Sequence, residues 1–163
     1  MNILVVIPAM GGSKGILRKN LRLLNGKPLL YYSINTALNS KFDLDVYVSS
    51  EDEEILNTSL QFGAKVHKRD ISIADDKSTL DPVIYACYKY ASQIENKDYD
   101  YIITMQPTSP LLKTNSLDSA IAKSIENKEI ETIIAAKDDT HLSWRKESDK
   151  FLPNYEKRLN RQY

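Results

Sequence analysis

The 163-residue chain sets 22 lysines and arginines against 22 acids, is 42% hydrophobic and 27% charged, and holds one cysteine. That length fits one domain around a single core, and the balanced charge gives no reason to expect nucleic acid or an anionic membrane as partner. The lone Cys87 excludes an intrachain disulfide and a multi-cysteine metal cage, no stretch reaches the ~20 apolar residues that span a bilayer, and with no signal-peptide pattern a cytoplasmic location is expected.

Asn2 to Ile7 is a continuous β-type run, the pattern of a strand buried on both faces. Pro8 to Lys27 has glycines and cations without periodicity and reads as a long functional loop. Pro28 predicts a helix start, with Leu30, Ile34, Ala37 and Leu38 as its apolar stripe. Asp45 to Ser49 predicts the second strand, and Ser50 with Glu53 predicts a capping box for a helix that ends at Gly63. Ala64 to His67 follows as a short strand, then a polar loop through Ser78. Asp81-Pro82 opens a helix with Ile84, Cys87, Tyr88, Ala91 and Ile94 on one side. Tyr99 to Met105 is a strand running into a loop, Gln106 to Pro110, fixed by two prolines. Thr114 or Asn115 caps a helix with Leu117, Ile121 and Ile125 inward, and Thr132 to Ala136 is the last strand expected.

Strands alternating with helices predict an α/β fold, a mostly parallel sheet with helices on both faces. Ligands of such sheets bind outside the carboxyl ends of the strands. The loops Pro8–Lys19, Ser49–Glu51, Lys68–Ser78 and Gln106–Leu112 should therefore line the site.

Pro8-Ala9-Met10-Gly11-Gly12-Ser13-Lys14-Gly15, directly after the first strand, carries the strongest chemical signal. Glycines let backbone N–H groups approach an anion, and successive N–H groups can form an anion-binding nest. Lys14, Arg18, Lys19, Arg22, Lys27 and Lys41 all precede the first acid, Asp43, so this segment looks built to face an anion. The P-loop is excluded because no Gly-Lys-Ser or Gly-Lys-Thr occurs, and the G-x-G-x-x-G dinucleotide fingerprint does not fit.

Gly11-Gly12-Ser13-Lys14-Gly15-Ile16, Arg18-Lys19-Asn20 and Gly26-Lys27-Pro28-Leu29 resemble the nucleotide-binding loop of the acylneuraminate cytidylyltransferases, or CMP-sialic acid synthetases. The likeness continues through Val48-Ser49-Ser50-Glu51-Asp52-Glu53-Glu54-Ile55, Phe62-Gly63-Ala64, Lys68-Arg69 and Gln106-Pro107-Thr108-Ser109-Pro110-Leu111. It is collinear from Ile3 to about Leu112, with a fainter echo in Asn160-Arg161-Gln162. The resemblance implies a nucleotide-diphospho-sugar transferase-like fold. It implies transfer of CMP from CTP to a nine-carbon 2-keto sugar acid of sialic, legionaminic or pseudaminic type, with Mg²⁺ and release of pyrophosphate.

By that resemblance Ala9, Met10, Gly11, Gly12, Ser13, Lys14, Lys19 and Asn20 would hold the triphosphate and ribose, with Lys14 and Lys19 as the catalytic charges. Arg69, Ser78 and Thr79 would meet the base. Gln106, Thr108, Ser109 and Arg161 would face the sugar acid, an arginine fork suiting a carboxylate. Arg69 as a surface charge and Gln106 as a partner for loop backbone remain open alternatives.

Two departures bear on activity. Met10 stands where the family usually has an arginine, and the sequence stops at Tyr163, before the family's dimerisation segment and Mg²⁺-binding Asp-x-Asp pair. Residues 1–163 are thus expected to be a single domain truncated at its C-terminus, with no metal ligand assigned. Asp75, Asp76 and Asp81 have no spacing that selects Mg²⁺ and read as a solvated loop plus a helix cap. His67 and His141 read as ordinary side chains, and Trp144 as a pocket wall or a packing anchor. An unfinished sheet edge would favour self-association, and hence a homodimer. The alternative function is a CTP-binding fragment or degenerate homologue without turnover.

Overall fold

The computed structural model describes residues 1–13, 15–73, 79–136 and 144–153. Chain contacts divide the molecule into two units, Met1–Glu131 and Thr132–Tyr163. In the first unit β1 (Ile3–Pro8), β4 (Asp45–Ser50), β5 (Lys65–Lys68) and β6 (Tyr101–Thr104) form a four-stranded sheet in the order β5-β4-β1-β6. Every neighbouring pair is parallel. The connections are α1 (Leu29–Leu38), α2 (Glu53–Gln61) and α3 (Leu80–Glu95), and α4 (Thr114–Glu126) follows β6. The α/β fold with helices on both faces is therefore as expected, and none of the described helices is long and apolar enough to cross a membrane.

The side-chain period of two in β1 divides the core. Ile3, Val5 and Ile7 pack with Leu30 and Ile34 of α1, Ile55 of α2 and Leu117 and Ile121 of α4, while Leu4, Val6 and Tyr47 meet Cys87 and Ala91 of α3. Burying each large aliphatic side chain is worth about 1.5–3 kcal/mol, so the run of residues 3–7 alone commits β1 to the centre. Burial pushes the Cys87 thiol up to about 12, which leaves it a protonated core side chain.

Several boundaries differ from expectation for local reasons. The stretch before α1 contains a small hairpin, β2 (Leu23–Leu24) with β3 (Lys27–Pro28). Asn25 and Gly26 both have positive φ there, the geometry an Asn-Gly pair selects in a two-residue turn. Pro28 is therefore spent in the hairpin and takes the N-cap position, and α1 begins one residue later. In α2 the N-cap is Asp52, not Ser50: its carboxylate accepts from the Glu54 and Ile55 amides at 3.0 and 3.1 Å. Ser50 instead uses its hydroxyl to accept from the Asp52 N–H. Gly63 has φ 86 and ends α2 as expected.

The buried stripe of α3 runs Val83, Cys87, Ala91, a strict four-residue step. Its next member is Glu95, which accepts from the Tyr47 hydroxyl, so Ile94 is left exposed rather than inward. Lys113 sits at the N-cap of α4, and Thr114 is its first helical residue, its hydroxyl given to the Thr36 carbonyl.

In the second unit, residues 132–136 form no strand and are exposed. A β-branched run without a neighbouring strand has no partner for its backbone groups, so propensity alone does not make it one. The unit instead holds an unforeseen hairpin, β7 (Trp144–Glu147) with β8 (Lys150–Pro153). Ser148 has φ 53 in its turn, a conformation the Ser-Asp pair does not advertise.

Candidate functional site

All four parallel strands end on the same side, which gathers the loops after residues 8, 50, 68 and 104 as the sequence predicts. The order of strands reverses between β1 and β6, and crevices at such reversals receive ligands in open α/β sheets. The loop after β1 leaves the sheet with Ala9, whose N–H donates to the Ser49 carbonyl at 3.0 Å. Asn20 is buried and its amide donates to the Met10 carbonyl at 2.9 Å, tying the far end of the loop to its beginning.

Gly11 lies against the acidic start of α2. A Cβ there would stand 2.4 Å from Asp52 Oδ2, so only glycine fits. Its N–H donates to Glu51 Oε1 at 2.8 Å. The N–H groups of Gly12 and Ser13 meet no acceptor among the described residues. Both lie in the loop at the carboxyl end of the central strand, and unpaired N–H groups of this kind suit an anion.

The basic segment is answered by acids from a different part of the chain. Arg18, in the left-handed conformation with φ 52, gives hydrogen bonds of 3.1 and 3.0 Å to Asp52 and one of 2.6 Å to Glu54. Partial burial opposes the Asp52 charge, but the bond from Arg18 and the Ile55 and Glu54 amides outweigh it and hold the carboxyl below its ordinary value. Lys19 makes no side-chain bond to another described residue. Lys14 and Ser78 lie outside the described residues.

Arg69 is not a surface charge. Its side chain is 3% exposed and pairs with Glu51 Oε2 at 2.6 Å, with a longer contact of 3.4 Å to the Ser49 carbonyl. Thr79 is exposed at the start of α3. Beyond β6, Gln106, Thr108 and Ser109 expose their side chains. The Gln106 carbonyl is held by the Ser109 N–H at 3.1 Å and the Ser33 hydroxyl at 3.4 Å, so the loop is fixed through backbone while the Gln106 amide stays outward. Arg161 lies outside the described residues.

The sequence places Glu51 in a site-lining loop but gives neither Glu51 nor Asp52 a role of its own. Their signal is present, an acidic cluster directly after a strand whose neighbour leads into a basic loop, but a helix-start reading absorbs it. Among the described residues no group of three His, Cys, Asp or Glu could hold a metal ion. The nearest acids are committed, Glu51 to Gly11 and Arg69, Asp52 and Glu54 to Arg18. The described residues therefore do not fit a Mg²⁺ site; Asp75 and Asp76 lie outside them. A recess of about 410 Å³ lined by Met1, Asp100, Tyr101, Ser124, Lys128 and Ile130 sits at the amino ends of β1 and β6, away from these loops.

Residues 4–152 match the cytidylyltransferase family. The chain is 41% identical over 129 residues to the pseudaminic acid cytidylyltransferase of Campylobacter jejuni subsp. jejuni serotype O:2, covering 78% of this chain and 55% of that protein. It is 37% identical over 123 residues to the CMP-N,N'-diacetyllegionaminic acid synthase of Legionella pneumophila subsp. pneumophila, covering 74% and 52%. A solved CMP:2-keto-3-deoxy-manno-octonic acid synthetase complexed with CTP superposes with a TM-score of 0.64 at 20% identity, over 78% of this chain and 49% of that one, which shows the shared fold. The chain spans about half the length of the curated relatives it matches. Matched over nearly its whole length, and with a glycine-rich loop at the carboxyl end of its central strand, the chain belongs to the cytidylyltransferase family.

Proposed function

We propose that the chain binds CTP on the loop after β1 and transfers CMP to a nine-carbon 2-keto sugar acid of the pseudaminic, legionaminic or sialic type. The observation that carries this reading is the glycine-rich loop at the carboxyl end of β1, whose Gly12 and Ser13 amides meet no acceptor among the described residues, while β6, which leads to the exposed Gln106, Thr108 and Ser109, pairs directly with β1. The sugar's anomeric oxygen forms a bond to the α-phosphorus as the bond to the bridging oxygen breaks and pyrophosphate leaves; the hydroxyl proton passes to solvent. Such an in-line displacement asks the protein for positioning and charge neutralisation, which amides and lysines supply. Relatives named for pseudaminic and legionaminic acid support the substrate class.

A second reading, CTP binding without turnover, draws on Met10 and on Arg18, whose charge is already taken by Asp52 and Glu54. Incubating the protein with CTP and each of the three sugar acids, and measuring pyrophosphate together with the CMP-sugar, separates the two. Release that needs both substrates supports transfer. Saturable CTP binding with no release from any of the three acids selects the second reading.

A further inference from the structure

We propose that the buried Glu51–Arg69 pair is the positioning element of the nucleotide loop, with Glu51 pinning Gly11 so that the next two amides face the anion. This inference rests on the CTP-binding reading above. Glu51 stands at the end of β4, the strand between β1 and β5. One of its oxygens accepts from Gly11 N–H at 2.8 Å, and the other from Arg69 Nη2 at 2.6 Å. A single carboxylate thus joins the loop after β1 to the residue just beyond β5.

Burial decides what the pair does. The Arg69 side chain is 3% exposed and that of Glu51 15%, so neither offers its charge to solvent. Arg69 is further fixed through its backbone N–H, which donates to the Ser50 carbonyl at 3.0 Å, and its buried Nε has no partner among the described residues. Removing either member alone leaves the other charge buried and uncompensated, which is costly, whereas replacing both with apolar groups need not be. Arg69 therefore neutralises and orients Glu51 through one of its terminal nitrogens.

The division of labour among the loop amides follows. Gly11 N–H is already satisfied by Glu51, and a phosphate at that point would meet a carboxylate. Gly12 and Ser13 N–H are unclaimed among the described residues. Fixing Gly11 from beneath, with Asp52 packed where its Cβ would be, sets the direction in which the following two N–H groups point.

The test compares Glu51→Gln and the double variant Glu51→Met/Arg69→Met with the unaltered protein. Three quantities are read: thermal stability without nucleotide, hydrogen exchange at the Gly11 amide, and CTP affinity by calorimetry. Glu51→Gln should lose stability, because Arg69 keeps an unpaired charge. The double variant should recover most of it, with fast exchange at Gly11 and CTP affinity lower by about tenfold or more, the order of one hydrogen bond to a charged group. A merely structural pair would restore affinity along with stability. CTP affinity in the double variant within about twofold of the unaltered protein, or unchanged protection at Gly11, overturns the proposal. If the unaltered protein binds no CTP, the functional reading fails and this inference falls with it; normal binding there and in the double variant sinks this inference alone.

Discussion

Arg18 and Asp52 are joined by two hydrogen bonds, Nη1 to Oδ2 at 3.1 Å and Nη2 to Oδ1 at 3.0 Å, although they lie on different segments of the chain. The same carboxylate caps α2 and fills the space against Gly11. Asp52 therefore links helix start, loop conformation and local charge in one side chain.

Asp52→Ala removes the cap and the Arg18 partner together. Losing an N-cap costs about 0.5–2 kcal/mol, so thermal unfolding should begin a few degrees lower. Asp52→Asn keeps an equally good cap and loses the charge together with the acceptor for Arg18 Nη1. Because Arg18 is substantially exposed, that variant should lie close to the parent. Equal losses in the two variants would show that the ion pair, not the cap, carries the stability.

Gly11 and Gly12 are adjacent and respond differently. Gly11→Ala drives a methyl into Asp52 and should cost about 1–3 kcal/mol, as overpacking does, while also weakening CTP binding. Gly12→Ala meets nothing within 4 Å among the described residues and has no positive φ, so its stability should stay within about 0.5 kcal/mol of the parent. Chemical denaturation of both variants checks the contrast.

His67 makes stability depend on pH near neutrality. Its ring lies 3.0 Å from the Ser49 hydroxyl and against Tyr90, and burial, followed by the Arg69 charge, lowers its pKa from 6.5. The unfolded chain then binds a proton that the folded chain refuses, so stability falls as pH drops below about 6.5. A separate loss belongs to Asp45 and Asp52, both held below the ordinary 3.8; their contribution is present above that value and disappears as pH falls through their folded values. Urea unfolding between pH 5 and 8, roughly the histidine range, should show a slope that His67→Gln removes and the carboxylate variants do not.

Met10→Arg places a guanidinium beside the two unclaimed amides. A positioned donor to a developing phosphate charge is worth on the order of 10²-fold in rate. Pyrophosphate release should rise toward that value, or CTP should bind more tightly if chemistry is absent. No change in either would show that residue 10 does not face the phosphates.

The sheet could be read from sequence because its strands are short apolar runs separated by well-marked helices; Ile3 to Ile7 admits little else. Boundaries were harder wherever two local signals competed. Ser50 and Asp52 both offer an N-cap, and the carboxylate wins through two amide bonds and the Arg18 contact. The glycines and cations of the loop mark it as a candidate anion site from sequence alone. Its internal restraint was not legible, because Glu51 is 40 residues from Gly11 and no periodic pattern connects a carboxylate to a distant backbone N–H. Residues 132–136 show the opposite limit, a run with strand propensity and no partner strand among the described residues.

Thermal unfolding with CTP, ATP, GTP and UTP in turn tests the nucleotide site most directly. At a hundred times its dissociation constant a ligand stabilises the fold by ~2.7 kcal/mol, a shift of about 5–10 °C for a chain this size. A shift of that order with CTP and little with the other three is the expected result. No shift with any nucleotide, or the same shift with all four, would contradict a CTP site on the loop after β1.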